Sequence, residues 1–317
     1  MKINKTALRI SLISLLVAIL ILIGAGFYML SYALQPQHRG LNIEDSYTDM
    51  YARYPFLEGW VDSLNNKQAL RDTFLINTEG KKLHALYIDA AVPTTKTAVI
   101  VHGYTDNAVR MLMIGYLYNK NLGYNVLLPD LQFHGLSQGD AIQMGWKDRL
   151  DVQQWIDLVI NKYGVDTQLA VHGISMGAAT TMMLSGEKQP TQVKCFVEDC
   201  GYTSVWDEFS QEINTEFGLP PFPLLHVASV LSKLKFGWSF TQASALKAVS
   251  RCKLPMLFIH GDADTFVPTW MVYQLYEAKP EPKELWVVPG VIHAQSYLKE
   301  PKAYTQHIED FLMKYIH

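Results

Sequence analysis

The sequence predicts an α/β fold, a mostly parallel sheet with helices on both faces. Two observations carry this reading. Short apolar runs recur near residues 98–101, 124–128, 168–172, 193–197, 255–259 and 284–288, with helical stretches between them, an alternation that builds a parallel sheet through crossover helices. Ser175, Asp264 and His293 each lie in the turn after one of these runs, so the fold would collect them at one edge of the sheet. About 250 residues suffice for one such domain.

Taken in chain order, residues 1–9 form a basic tail with Lys2, Lys5 and Arg9, and residues 10–34 carry no charge. At about 1.5 Å per residue the uncharged stretch exceeds the roughly 30 Å hydrocarbon core of a bilayer, which predicts a transmembrane anchor. A cleaved signal peptide, releasing a secreted protein, is the competing reading, because Ser31-Tyr32-Ala33 loosely imitates a cleavage site. Signal-peptide apolar cores usually run only about 7–15 residues, which favours retention. Basic residues precede the anchor, whereas Arg39 faces Glu44, Asp45 and Asp49 after it; the positive-inside rule then leaves the amino terminus cytoplasmic and the following domain outside.

Residues 35–69, with Pro36, Pro55 and the aromatic cluster Tyr47, Tyr51, Tyr54, Phe56 and Trp60, read as a tether that becomes a helix docked on the domain or the membrane surface. Residues 73–76 and 83–88, around Glu79-Gly80, predict a hairpin at the edge of the sheet. The main domain then runs over 70–317.

Within it, Gly173-Ile174-Ser175-Met176-Gly177 joins the apolar run Leu169-Ala170-Val171 to the small, helix-compatible run from Ala178. A strand, a tight turn and a helix are what a nucleophile elbow needs, and glycines either side relieve collisions with the neighbouring strand or helix. Asp264, in His260-Gly261-Asp262-Ala263-Asp264, follows Met256-Leu257-Phe258-Ile259, and His293, in Pro289-Gly290-Val291-Ile292-His293, follows Glu284-Leu285-Trp286-Val287-Val288.

These residues carry a resemblance. From about residue 70 to the end, the chain resembles the serine α/β-hydrolases, and within them the branch described as S33-type serine-aminopeptidase-like or Bem46-like hydrolases. The other landmarks are His102-Gly103-Tyr104, and Pro129-Asp130 through His134-Gly135-Leu136-Ser137-Gln138-Gly139. The resemblance implies that Ser175 attacks an acyl carbonyl, that His293 shuttles the proton and that Asp264 orients the imidazole. It implies an oxyanion hole from the backbone N–H groups of Met176 and Tyr104. His-Gly-Tyr replaces the Gly-rich oxyanion loop of lipases, so the Tyr104 hydroxyl is a candidate extra contact.

Other candidates stand beside these. Asp199, ending the run before it, is the alternative acid. Asp262 and Asp264 lack a third ligand at a recognisable spacing, so no metal is expected. His102, His172 and His260 are expected to bond loop backbone, and His134 and Asp130 to brace their loop. Cys195, Cys200 and Cys252 form no zinc or C-x-x-C pattern; no disulfide is expected, with a Cys200–Cys252 bridge the alternative.

Between Cys200 and Lys253 the chain is far longer than one crossover helix requires. Residues 203–245 are expected to form a small helical cap, whose Phe217, Phe222, Leu224, Leu225, Phe236, Trp238 and Phe240 either wall a pocket or pack the cap onto the domain. Phe222 and Leu224 are the expected pocket residues, since the prolines before them hold a loop.

A net charge of −3 and a pI near 6.4, without a basic stripe, give no case for nucleic acid. The expected activity is that of a membrane-anchored serine hydrolase cleaving a carboxylic ester through an acyl-enzyme. A peptidase, amidase or thioesterase with the same triad is the alternative, and a non-catalytic ligand-binding module a further one. The expected partners are a small acyl substrate and a membrane, and no cofactor is called for.

Overall fold

The computed structural model describes residues 5–37 and 42–317. The chain begins with α1 (Lys5–Leu34), α2 (Ile43–Arg53) and α3 (Leu57–Asn66), followed by β1 (Leu70–Ile76), β2 (Lys82–Ile88) and β3 (Lys96–Val101). Next come α4 (Leu112–Tyr116), running into a π-helical turn, β4 (Asn125–Pro129), α5 (Asp148–Tyr163), β5 (Gln168–Ile174), α6 (Met176–Ser185) and β6 (Val193–Asp199). An insertion holds α7 (Val205–Phe217), α8 (Leu224–Phe236) and α9 (Ala245–Val249). The chain ends with β7 (Met256–Gly261), α10 (Trp270–Ala278), β8 (Lys283–Val288), α11 (Ser296–Lys299) and α12 (Pro301–Leu312).

Among the described residues, eight strands form one sheet in the order β1-β2-β4-β3-β5-β6-β7-β8. The β1–β2 hairpin lies at one edge and joins antiparallel to β4, and every later pair is parallel. This is the α/β-hydrolase fold. Strand order reverses at β3, with β4 on one side and β5 on the other, so the crevice that open α/β sheets use for ligands falls at the carboxyl ends of β3 and β5. Side chains alternate across the sheet: Val99 and Val101 join the core containing Trp155, Met182 and Phe258, while Ala98 and Ile100 join the one containing Ile114, Tyr118 and Tyr304.

Residues 42–69 pack on the domain. Met50, Tyr54, Leu57, Trp60, Val61 and Leu64 are buried in the second core. Asn42 caps α2 by accepting N–H bonds from Glu44 and Asp45 at 3.1 and 3.3 Å, which satisfies donors that a helix start leaves open.

Helix α1 is 30 residues long. It starts earlier than the apolar run and takes in Lys5 and Arg9; Lys2 and Arg39, used in the orientation argument, lie outside the described residues. Residues 5–21 are exposed throughout, whereas Gly26, Leu30 and Leu34 are buried. A Cβ on Gly26 would lie 2.9 Å from Leu231 Cδ1 and 3.0 Å from Val227 Cγ1, so the missing side chain lets α1 and α8 approach closely. The end of α1 is fastened by Ile142 N–H donating to Leu34 O at 2.8 Å and Gln35 Nε2 to Asp140 O at 2.8 Å.

The insertion sits between β6 and β7. Ser204 caps α7 by accepting the Asp207 N–H at 3.1 Å, and Gly218, at φ +63°, ends it in the left-handed conformation that glycine adopts without penalty. Cys195, Cys200 and Cys252 are buried free thiols.

Candidate active site

Ser175 is held between β5 and α6 at φ +57°, ψ −119°, a backbone conformation costly for a residue with a Cβ. Its neighbours over-determine it. A Cβ on Gly173 would lie 2.1 Å from the Gly177 carbonyl oxygen, and one on Gly177 would lie 2.1 Å from the Val101 carbonyl oxygen. Only glycine at both positions lets α6 start so close to β3 and β5. The Ser175 N–H donates to Asp199 O at 2.8 Å, which pins the turn to β6.

Ser175 Oγ lies 2.8 Å from His293 Nε2, and His293 Nδ1 lies 2.7 Å from Asp264 Oδ2. The other Asp264 oxygen accepts the N–H groups of Phe266 and Val267, both at 3.0 Å. Burial alone would raise the Asp264 carboxyl, but bonds and charges from His260 and His293 outweigh it and hold it below the usual carboxylate range. His260 Nε2 bonds Val267 O at 2.9 Å, as a backbone partner, and also reaches Asp264 Oδ2 at 3.3 Å. The structure thus brings Ser175, His293 and Asp264 into one hydrogen-bonded line.

The remaining candidates have other partners. Asp199 accepts from Tyr304 Oη at 3.0 Å and Ser296 Oγ at 3.3 Å, and burial pushes its carboxyl up to about 6. His102 accepts the Leu131 N–H at 2.9 Å and bonds Gly103 O at 2.7 Å. His134 bonds Gln132 O at 2.9 Å, and Asp130 accepts the Ala108 and Leu136 N–H groups at 2.7 and 2.9 Å. His172, expected to bond loop backbone, instead lies between the hydroxyls of Tyr118 and Tyr304 at 3.3 and 3.0 Å, with burial lowering it to about 3. Asp262 accepts the Gly290 N–H at 2.5 Å.

Cys200 Sγ and donor atoms of Asp264 and His293 lie within 4.8 Å of one another. Burial pushes the Cys200 thiol well above its ordinary range, and the Asp264 and His293 atoms are already hydrogen-bonded to each other.

Around Ser175, the Met176 N–H is the first of α6 and has no partner within the helix. A Cβ on Gly103 would lie 3.5 Å from Ser175 Cβ, so the loop carrying Tyr104 passes directly over the nucleophile candidate. The Tyr104 hydroxyl departs from expectation. It donates to the Ala33 carbonyl at 2.8 Å and is therefore tied to the end of α1, away from the role of an extra oxyanion contact.

A cavity of about 670 Å³ opens over Ser175, within the roughly 300–1,000 Å³ usual for ligand sites. Leu224, Leu225, Phe217 and Phe240 line it; Phe222, Phe236 and Trp238 do not. Phe222, an expected pocket residue, is 70% exposed, because the proline-bounded loop carries it to the outside of the insertion. Trp238 is buried in the core and donates to Gln143 Oε1 at 2.9 Å.

Two parts of the lining escaped the sequence reading. Tyr28, Met29, Tyr32 and Ala33 of α1 form one wall, and Glu208, Glu212 and Glu216 of α7 contribute carboxyls. The glutamates recur every fourth residue, a spacing that puts them on one helix face and was visible in the sequence. Burial, reinforced by Glu212, Asp264 and Asp207, pushes Glu208 well above the usual range, and its Oε2 has no partner among the described residues.

An α/β sheet with a serine elbow at its switch point defines the α/β-hydrolase class, and comparison with known proteins narrows it. The chain belongs to the hydrolase family described as serine aminopeptidase, S33, which matches residues 93–253. YqkD of Bacillus subtilis, an uncharacterized protein, is 31% identical over 219 residues, 69% of this chain and 72% of its own. The alpha/beta hydrolase domain-containing protein WAV2 of Arabidopsis thaliana is 26% identical over 255 residues, 77% of this chain and 79% of its own. Among solved structures, the esterase Pf2001 of Pyrococcus furiosus superposes with a TM-score of 0.65 at 24% identity, covering 80% of this chain and 96% of that one. An acylaminoacyl peptidase of Pyrococcus horikoshii gives 0.56 at 15% identity, covering 78% and 43%. These likenesses establish the fold.

Proposed function

We propose that the protein is a membrane-anchored serine hydrolase that cleaves a carboxylic ester. The observation that carries this is the line Ser175–His293–Asp264, at 2.8 and 2.7 Å, opening on a mostly apolar cavity. In this reading Ser175 Oγ attacks the acyl carbonyl as His293 Nε2 takes its proton. Asp264 fixes the ring with Nδ1 protonated and stabilises the imidazolium. The oxyanion sits between the N–H groups of Met176 and Tyr104. His293 then protonates the departing alcohol, and water, activated by the same ring, releases the acid from Ser175. Leu224 and Phe217 flank the acyl group.

Retention of α1 is part of the proposal. Cleavage after Ala33 would strip Leu30 from the core and remove the carbonyl that Tyr104 bonds.

A second reading is favoured by Glu208, Glu212 and Glu216. A substrate ammonium entering among them would pair with Glu212 and Glu216, with Glu208 as a hydrogen-bonding neighbour, as an aminoacyl ester or amide requires. Both readings are tested with p-nitrophenyl acyl esters and aminoacyl p-nitroanilides. The first expects ester turnover that Ser175→Ala abolishes and Glu212→Gln leaves unchanged. Preference for aminoacyl substrates, with KM raised by Glu212→Gln, would select the second.

A further inference from the structure

The wall that α1 contributes to the cavity has a consequence for the substrate. If the bilayer begins at Ile10, roughly 20 residues at about 1.5 Å each fill its 30 Å hydrocarbon core and end near Met29. Tyr28, Met29 and Tyr32 line the cavity, so its α1 wall lies at the depth of the membrane interface. Tyr28 stacks on Tyr32 with ring centroids 6.4 Å apart, and Tyr32 meets the edge of Phe217 at 5.4 Å. Amphipathic rings of this kind settle at such an interface.

Helix α8 runs beside α1 in the same direction. Val227 lies at Gly26, and Lys235 Nζ reaches Gln35 Oε1 at 3.3 Å. The loop before α8 therefore lies further toward the membrane than α8 itself. That loop carries Leu219 and Phe222, 43% and 70% exposed. Apolar side chains so exposed, beside a spanning helix, find their partner in lipid.

We propose that the substrate is a long-chain acyl ester resident in the bilayer, which reaches Ser175 sideways along α1, past Tyr28, Tyr32 and Phe217, while Leu219 and Phe222 rest in the leaflet. The proposal rests on the serine-esterase reading and adds where the acyl chain comes from. The reaction is the same: water cleaves the ester, the acid and the alcohol leave, and no further reactant is needed.

The test uses the full-length protein in phosphatidylcholine vesicles with two substrates, 4-methylumbelliferyl acetate from the water and 4-methylumbelliferyl palmitate dissolved in the bilayer. The wild type hydrolyses both, and Ser175→Ala neither. The double variant Leu219→Ser/Phe222→Ser keeps acetate turnover and lowers the palmitate-to-acetate rate ratio by about tenfold or more, as expected when two apolar side chains lose their burial. If the double variant loses both activities, the single substitutions are read by the same ratio. An unchanged ratio, or palmitate turnover no faster than with Ser175→Ala while acetate is cleaved, overturns bilayer access and leaves the esterase standing. Acetate turnover equal in wild type and Ser175→Ala overturns both.

Discussion

At Ser175 the backbone is strained and its surroundings leave it no other conformation: Gly173 faces the start of α6, Gly177 faces β3, and the N–H is tied to Asp199. Strain of this kind persists only where neighbours over-determine it, and it exposes Oγ to His293. The two aspartates near the ring differ in partner. Asp264 bonds His293 and is kept ionised, whereas Asp199 bonds Tyr304 and Ser296. Asp264→Asn is therefore expected to lower turnover on the order of 10⁴-fold by favouring the wrong tautomer, and Asp199→Asn far less. Steady-state kinetics of the two variants decide it, and the reverse ranking would move the acid to β6. That Ser175, Asp264 and His293 would meet was legible because each follows a strand-like run in a set order. The partner of the Tyr104 hydroxyl was not, since Ala33 lies 71 residues away and only folding brings it near.

Among the elements, β6 carries an unusual load for a central strand. Glu198 is fully buried, and burial pushes its carboxyl up to about 8; one oxygen accepts the Gly201 N–H at 3.0 Å and the other has no partner among the described residues. The folded state therefore keeps Glu198 protonated where the unfolded chain has lost the proton. A carboxyl raised in this direction stabilises the fold fully below its unfolded value near 4.5, and that contribution is lost as pH rises to about 8. Each pH unit in that window removes on the order of 1 kcal/mol. Glu198→Gln, neutral at every pH, is expected to flatten the decline and to melt above the wild type at pH 8–9, as thermal unfolding across pH would measure; parallel curves would contradict it. The strands were readable from short apolar runs. The docking of α1 was not, because an apolar helix reads alike whether lipid or α8 covers it, and Gly26 shows its purpose only once Leu231 stands opposite.

Across the whole molecule, one helix serves two surroundings. Its first half is exposed and apolar; its second half fills the core at Leu30 and Leu34 and walls the cavity above Ser175. The helix proposed as the anchor also builds the site, so the full-length protein is expected to stay in the membrane pellet after an alkaline carbonate wash, with soluble protein starting near residue 34 as the contrary result. The cap was legible from the excess length between Cys200 and Lys253, but the side of it that faces the site was not, and Phe222 fell outside the cavity for that reason. The most direct test treats these washed membranes with a fluorophosphonate probe and maps the adduct by peptide mass spectrometry. The account predicts a single covalent adduct on Ser175, absent from Ser175→Ala; a protein left unlabelled, or an adduct that survives the substitution, would contradict it.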